Sequence, residues 1–429
     1  MGSKKLLAPR LAELVSEMED GPFLDLFSGI AAVGSQIAPR RSVWCNDVQR
    51  FSALLTKQRF GAPKAFTSSR RIAIEARSHF VTNQAALSAA FSEEISIELQ
   101  ALSSSNVNDL QKLTRTAESV GASRLAPLRS ANHSCLFATS HAGTYFGIQQ
   151  AIDIDSVRHA ADILLLRAKI SEDEHGWMVL ALCRVLSTIS NSTGHFAQYL
   201  SPSETNIRRV IRKRYMDVWS LWTTALEELK PIGTVAWRRG NRLFNTDAVT
   251  LLQKLAGRSR QPTIIYADPP YTSDQYSRYY HVLENVVLYD YPTILGKGQY
   301  RQNRFTSGFS LKSKVSSSFE DLALAASKLN SVFILSYPSN GLLGIDRVNH
   351  TLESYFDYVE CPIILPHLHS TMGGSKGAQK QSVDENIIVA YQDPGMRHRA
   401  TASRSRSTPS RLLTSTANSV TSELVSNFR

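Results

Sequence analysis

The 429-residue sequence predicts an α/β protein in which a mainly parallel sheet is interrupted by a long helical insertion. Two observations predict it. Short apolar runs alternate with helical patterns near both ends of the chain, and such alternation specifies parallel strands joined by crossover helices. Between them, from about Gly61 to Lys230, helical periods recur and strand signal is nearly missing.

In chain order, Phe23-Leu24-Asp25-Leu26-Phe27 reads as a strand running into Ser28-Gly29 and a small-residue helix that ends near Pro39. Ser42-Val43-Trp44-Cys45 reads as a second strand, ending at Asn46-Asp47 and followed by a helical pattern to about Phe60. Alternation resumes with a helix after Asp247, then apolar strands over 263–267, 332–336 and 386–391. The expected organisation is a first half-domain over 1–60, an inserted helical domain over 61–240, a second half-domain over 241–395, and a basic, disordered tail over 396–429.

Composition excludes several classes. No uninterrupted apolar run approaches the roughly 18 residues that span a bilayer. The first residues lack the apolar core and cleavage site of a secretory signal, so a mature cytoplasmic protein is expected. Cys45, Cys135, Cys183 and Cys361 show no metal-ligand spacing and read as four buried thiols.

The formal charge of +11 is unevenly placed. Residues 201–260 hold 12 Lys/Arg against 5 Asp/Glu, and residues 396–429 hold 6 Arg against Glu423, so the rest of the chain is nearly neutral. Ser201-Pro202-Ser203-Glu204 predicts a helix start, with a capping serine, a proline at the first position and a glutamate three residues on. The following turns carry Arg208, Arg209, Arg212, Lys213 and Arg214, a candidate phosphate-binding face. Tyr215, Trp219 and Trp222 are expected to form one buried stripe.

The most informative residues are Asp268-Pro269-Pro270-Tyr271, placed where an apolar strand ends. Open α/β sheets bind ligands at that edge. Two prolines stiffen the loop and withdraw backbone donors, leaving the Asp268 carboxylate and the Pro269 carbonyl as fixed acceptors suited to an amino group. Tyr271 adds a flat face, and base stacking on an aromatic is worth about 1–3 kcal/mol. The stretch from Asp25 to Gly34 is a glycine loop between strand and helix, and Asp47, at the end of the second strand, stands where a ribose hydroxyl pair is usually gripped.

With these motifs in this order, the chain resembles the DPPY-type DNA adenine-N6 methyltransferases, which use S-adenosylmethionine and are common in restriction-modification systems. Gly2-Ser3-Lys4-Lys5-Leu6-Leu7 is similar to the family's N-terminal cofactor motif, Asp25 to Gly34 (with Phe27, Ser28 and Gly29) to its glycine-rich motif, Asn46-Asp47 to its ribose-binding acid and Asn245-Thr246-Asp247 to the acid beside the cofactor adenine. Asp268-Pro269-Pro270-Tyr271 resembles the catalytic motif, with Asp268 also beside the cofactor, and Ser336-Tyr337-Pro338-Ser339-Asn340 a strand end of a restriction-modification subgroup. Ala31 stands where many relatives carry a second glycine.

The resemblance implies a Rossmann-like class I methyltransferase fold, a helical target-recognition insertion, double-stranded DNA as substrate, a restriction endonuclease as the cognate partner and no metal. The mechanism it implies is alignment of a flipped-out adenine: Asp268 and the Pro269 carbonyl accept the amine hydrogens while Tyr271 stacks on the base. A cytosine-N4 methyltransferase is the nearest alternative, although that family more often begins the tetrad with serine. An RNA methyltransferase and an inactive DNA-binding relative are the others.

Overall fold

In the computed structural model the described residues are 3–61, 68–370, 380–393 and Gly395. Gly2 and the basic tail lie outside them. Nine strands occur among the described residues: β1 (Phe23–Asp25), β2 (Val43–Asn46), β3 (Arg242–Phe244), β4 (Ile264–Ala267), β5 (Ile294–Leu295), β6 (Tyr300–Arg301), β7 (Val332–Pro338), β8 (Tyr358–Ser370) and β9 (Lys380–Tyr391).

Two compact units are present. The first takes in the described residues of 1–63, 232–276 and 305–425 and holds a seven-stranded sheet of order β3-β2-β1-β4-β7-β9-β8. β3, β2, β1, β4 and β7 are parallel, and β9 runs antiparallel to both its neighbours. Both faces are covered, which is why β4 and β7 read as unbroken apolar runs. On one face Leu24, Ala267, Phe333 and Tyr337 pack with helices Ala248–Ala256, Val315–Ser327 and Ile345–Glu353. On the other, Phe23, Ile264, Tyr266, Ile334 and Ile387 pack with helices Ser3–Ser16 and Ala32–Ile37. The α/β class with a mainly parallel sheet is therefore as expected. β3 and β8 carry no clear sequence signal, since β3 is three half-buried residues and β8 lies at the sheet edge.

The second unit takes in the described residues of 64–231 and 277–304. It is helical, with long helices Ser69–Ala90, Val107–Ser130, Ile148–Leu166 and Glu172–Ile189 and the two-stranded ribbon β5–β6. Residues 277–304 differ from the expected organisation, which gave them to the second half-domain. Helix Ser277–Leu288 buries Val282, Leu283 and Val286 in the helical unit. Beyond it, Arg301 donates to both Asp290 carboxylate oxygens at 2.7 Å and to Asn285, and the Tyr145 hydroxyl donates to Phe196 and Gly298 carbonyls. Proximity to the tetrad in sequence hid the Tyr145–Gly298 bond, which spans 153 positions.

Three local expectations are corrected. The basic helix spans Ile207–Arg214 rather than starting at Ser201, because Asn206 folds the preceding residues into a turn: its amide accepts from Ser203 N–H and donates to the Ser201 carbonyl. Tyr215, Trp219 and Trp222 do not form one stripe. Asp217 caps a new helix, Val218–Glu228, so Tyr215 belongs to a different element and is 57% exposed while Trp222 is fully buried. Cys361 is exposed, and only Cys45, Cys135 and Cys183 are buried.

Candidate active site at the carboxyl edge of the sheet

The sheet order reverses between β1 and β4: the chain proceeds from β1 to β2 and β3 on one side, then from β4 to β7 on the other. Such a switch point leaves a crevice beyond the carboxyl ends of the two strands. Asp25 pairs in register with Tyr266, and Leu26 N–H donates to the Tyr266 carbonyl at 2.9 Å. The residues that follow, the glycine loop after Asp25 and Asp268-Pro269-Pro270-Tyr271 after Ala267, therefore leave the sheet side by side.

The glycine loop is held by short-range bonds. Ser28 Oγ donates to the Asp25 and Asn46 carbonyls, each at 3.0 Å, and receives Asn46 N–H. Gly29 takes φ +50°, a conformation that favours glycine, and a Cβ placed there would meet only the Phe27 carbonyl at 4.0 Å. Open space over a glycine backbone suits a ligand. Ala31 also takes a left-handed φ of 59°, so the loop keeps its shape without a second glycine. The Asp47 carboxylate ties the loop to β2, accepting from Gly29 N–H at 2.8 Å and Gln49 N–H at 2.9 Å. Asn46, read with Asp47 as the end of the second strand, bonds the Leu26 and Thr246 carbonyls, each at 3.1 Å, and so joins the ends of β1, β2 and β3.

Asp25, Ser28, Gly29, Asp47 and the tetrad are thus gathered at one edge. Phe27 points to the neighbouring apolar layer and meets Phe309 edge-on, with centroids 5.8 Å apart. Asp247 follows β3 at the same edge, exposed, and its carboxylate caps helix Ala248–Ala256 by accepting Thr250 N–H at 3.0 Å. Ser3 and Lys4 open helix Ser3–Ser16.

Within the tetrad, Pro269 is buried, and Asp268, Pro270 and Tyr271 are half-buried. The Tyr271 carbonyl accepts Leu342 N–H at 2.9 Å from the loop after β7, and its ring meets Tyr276 at 6.4 Å, nearly perpendicular. Burial, with a smaller contribution from Glu385, raises the Tyr271 phenol above its usual range, against a hydrogen bond with Tyr276, so it is neutral at neutral pH. Gln275 fixes the following loop by exchanging two hydrogen bonds with the Ser307 backbone. A half-buried carboxylate beside a rigid carbonyl and a neutral aromatic face can hold and orient an amino-bearing flat ring.

The five basic residues of Ile207–Arg214 do not act alike. Arg208 and Arg212 are exposed. Arg209 donates to the Ser192 carbonyl and Lys213 to the Thr188 carbonyl; burial, then Arg209 and Arg212, push the Lys213 ammonium down. Arg214 is corrected outright. Its side chain is 1% exposed, it pairs with Glu98, and it donates to the Gly143 carbonyl at 3.2 Å, so it holds the helical unit together and cannot reach a phosphate.

Fold and edge site together define a Rossmann-like α/β protein whose ligand crevice lies at the topological switch point. The family described as D12 class N6 adenine-specific DNA methyltransferase matches residues 184–337, which include the tetrad and β7. Modification methylase StsI of Streptococcus sanguinis is 25% identical over 360 residues, covering 83% of this chain and 46% of that protein. Type II methyltransferase M.FokI of Planomicrobium okeanokoites is 26% identical over 361 residues, with the same two coverages. Modification methylase LlaI of Lactococcus lactis subsp. lactis is 30% identical over 205 residues, 48% of this chain and 30% of that protein. No solved structure matches the chain. The chain spans about half the length of the first two relatives. The resemblance to adenine-N6 methyltransferases of restriction-modification type is borne out by these matches.

Proposed function

We propose that the chain transfers a methyl group from S-adenosylmethionine to the N6 amine of an adenine flipped out of duplex DNA, and so protects a site that a partner restriction endonuclease cuts. The observation that carries this reading is the adjacency of the Asp25–Gly29 loop and Asp268-Pro269-Pro270-Tyr271 across paired strands β1 and β4. The open face of Gly29 and the carboxylates of Asp47 and Asp247 at the same edge fit an adenosyl group, with Asp47 toward the ribose and Asp247 toward the adenine. The family resemblance assigns Gly2, Ser3 and Lys4, with the backbone of Phe27 and Ser28, to the same cofactor.

When bound, S-adenosylmethionine supplies an electrophilic sulfonium methyl. The adenine amine is a weak nucleophile because its lone pair is delocalised into the ring, so the protein's contribution is alignment and charge. Asp268 and the Pro269 carbonyl accept the two amine hydrogens and draw the nitrogen toward tetrahedral geometry. Tyr271 stacks on the base. Pro270 keeps the loop rigid and donor-free. Arg208 and Arg212 of the helical unit, exposed and basic, serve as phosphate contacts, with Arg209 and Lys213 adding charge nearby.

The test is methyl transfer from labelled S-adenosylmethionine to duplex DNA by Asp268→Ala. Turnover is expected to fall by at least about 100-fold with cofactor binding retained. Near-normal turnover, or label on cytosine, overturns the reading.

A further inference from the structure

Four adjacent strands each present a polar residue toward the crevice edge on one face of the sheet. Phe23, Tyr266, Ile334 and Ile387 all face the layer of helix Ser3–Ser16. Because side chains alternate along a strand, Asp25, Ser336 and Glu385, each two residues removed from one of these, face the same way. In sheet order the row is Asp25 on β1, Tyr266 on β4, Ser336 on β7 and Glu385 on β9. Every member is buried: Asp25 is 2% exposed, Tyr266 and Ser336 0%, and Glu385 5%.

Register keeps the row at the crevice. Ala267 pairs with Leu335, so Ser336 is level with Asp268, and Pro338 pairs with Glu385. Ser336 Oγ donates to Glu385 Oε1. The Tyr266 hydroxyl approaches Ser336 without completing a hydrogen bond of normal geometry. A carboxylate this deep is costly to bury unless it is paired or hydrogen-bonded, and Ser336 supplies one such bond to Glu385. The charge reaches both sides of the edge, since it helps raise the phenols of Tyr266, in the row, and Tyr271, in the tetrad.

We propose that Glu385, fixed by Ser336 beside the tetrad, is a positioning residue whose charge makes the crevice favour the cationic methyl donor relative to its neutral demethylated product. The proposal rests on S-adenosylmethionine being the donor. Donor and product differ in charge at sulfur, and a buried carboxylate distinguishes them through that charge alone. Glu385 thereby favours donor loading and product release.

The experiment is calorimetric binding of S-adenosylmethionine and S-adenosylhomocysteine to the full chain without DNA, for wild type, Glu385→Gln and Glu385→Asp. Glu385→Gln keeps an acceptor for Ser336 and removes the charge. It is expected to weaken donor binding on the order of ten-fold and product binding less than two-fold, while Glu385→Asp restores most of the ratio. Equal weakening of both ligands, or none, overturns the assignment.

If Glu385→Gln does not fold, the wild-type chain carries the test with a tertiary-amine analogue in which nitrogen replaces sulfur. That analogue is expected to bind more tightly below its pKa than above it, with product binding flat over the same range, and the opposite order overturns the proposal. Wild type that binds neither natural ligand rejects the methyltransferase reading as well. Binding with an unchanged ratio rejects only the role of Glu385.

Discussion

The basic helix Ile207–Arg214 offers the sharpest perturbation, because neighbouring arginines are assigned opposite jobs. Arg214 is 1% exposed at its side chain and pairs with Glu98, itself 6% exposed; Glu98 also accepts Ile148 N–H at 2.7 Å. Replacing Arg214 with Met leaves that carboxylate buried and half-satisfied, which costs about 3–5 kcal/mol. For a unit of 150–250 residues, about 2–4 °C per kcal/mol lowers the thermal midpoint of the helical unit by roughly 6–20 °C. Arg208 and Arg212 are exposed, so replacing both with Ala changes stability by no more than about 0.5 kcal/mol per site.

DNA binding should respond the other way. Loss of two phosphate contacts reduces the slope of log affinity against log salt by about 1.8, so between 50 and 200 mM salt the double variant loses about 12-fold less affinity than wild type. The assays are differential scanning calorimetry and fluorescence anisotropy on a duplex across that salt range. An Arg214→Met protein as stable as wild type, or a double variant with the wild-type slope, refutes the division.

Two further outcomes are expected. Burial raises the Asp155 carboxyl to about 7, against hydrogen bonds from Tyr289 and from Ala138 and Phe137 N–H. The folded state therefore keeps a proton that the unfolded chain releases near pH 4, and this group's contribution falls as pH rises from about 4 to about 7. Asp155→Asn should gain thermal stability relative to wild type over that interval, and a difference independent of pH refutes the assignment. Native labelling with a maleimide should modify Cys361 first, since burial raises Cys135 to about 12 and pushes Cys45 and Cys183 well up; early label on any of those three refutes the burial described.

Much of the edge site was legible because its pieces are local. Strand β4, buried on both faces, reads as an apolar run, and the two prolines after Asp268 mark where it stops. The glycine at position 29 marks the turn after β1, and Asp47 was placed from its distance along the chain. The bracing role of Asn46 is not visible in the sequence because its bonds run to residues 20 and 200 positions away. Residues 277–304 were misassigned for the same reason, since Tyr289 and Gly298 find their partners, Asp155 and Tyr145, 134 and 153 positions away.

By itself the sequence determined the α/β class, the helical insertion and the tetrad at a strand end, because apolar periodicity, proline and glycine act on the backbone within a few residues. The tertiary structure decided what charge does. Arg208 and Arg214 are indistinguishable in a count, yet one meets water and the other meets Glu98, 116 residues earlier. Glu385 likewise reads as one of two adjacent acids in Asp384-Glu385-Asn386 until folding brings it beside Ser336, 49 residues away. A charge takes its energy from its surroundings, and only the fold sets those.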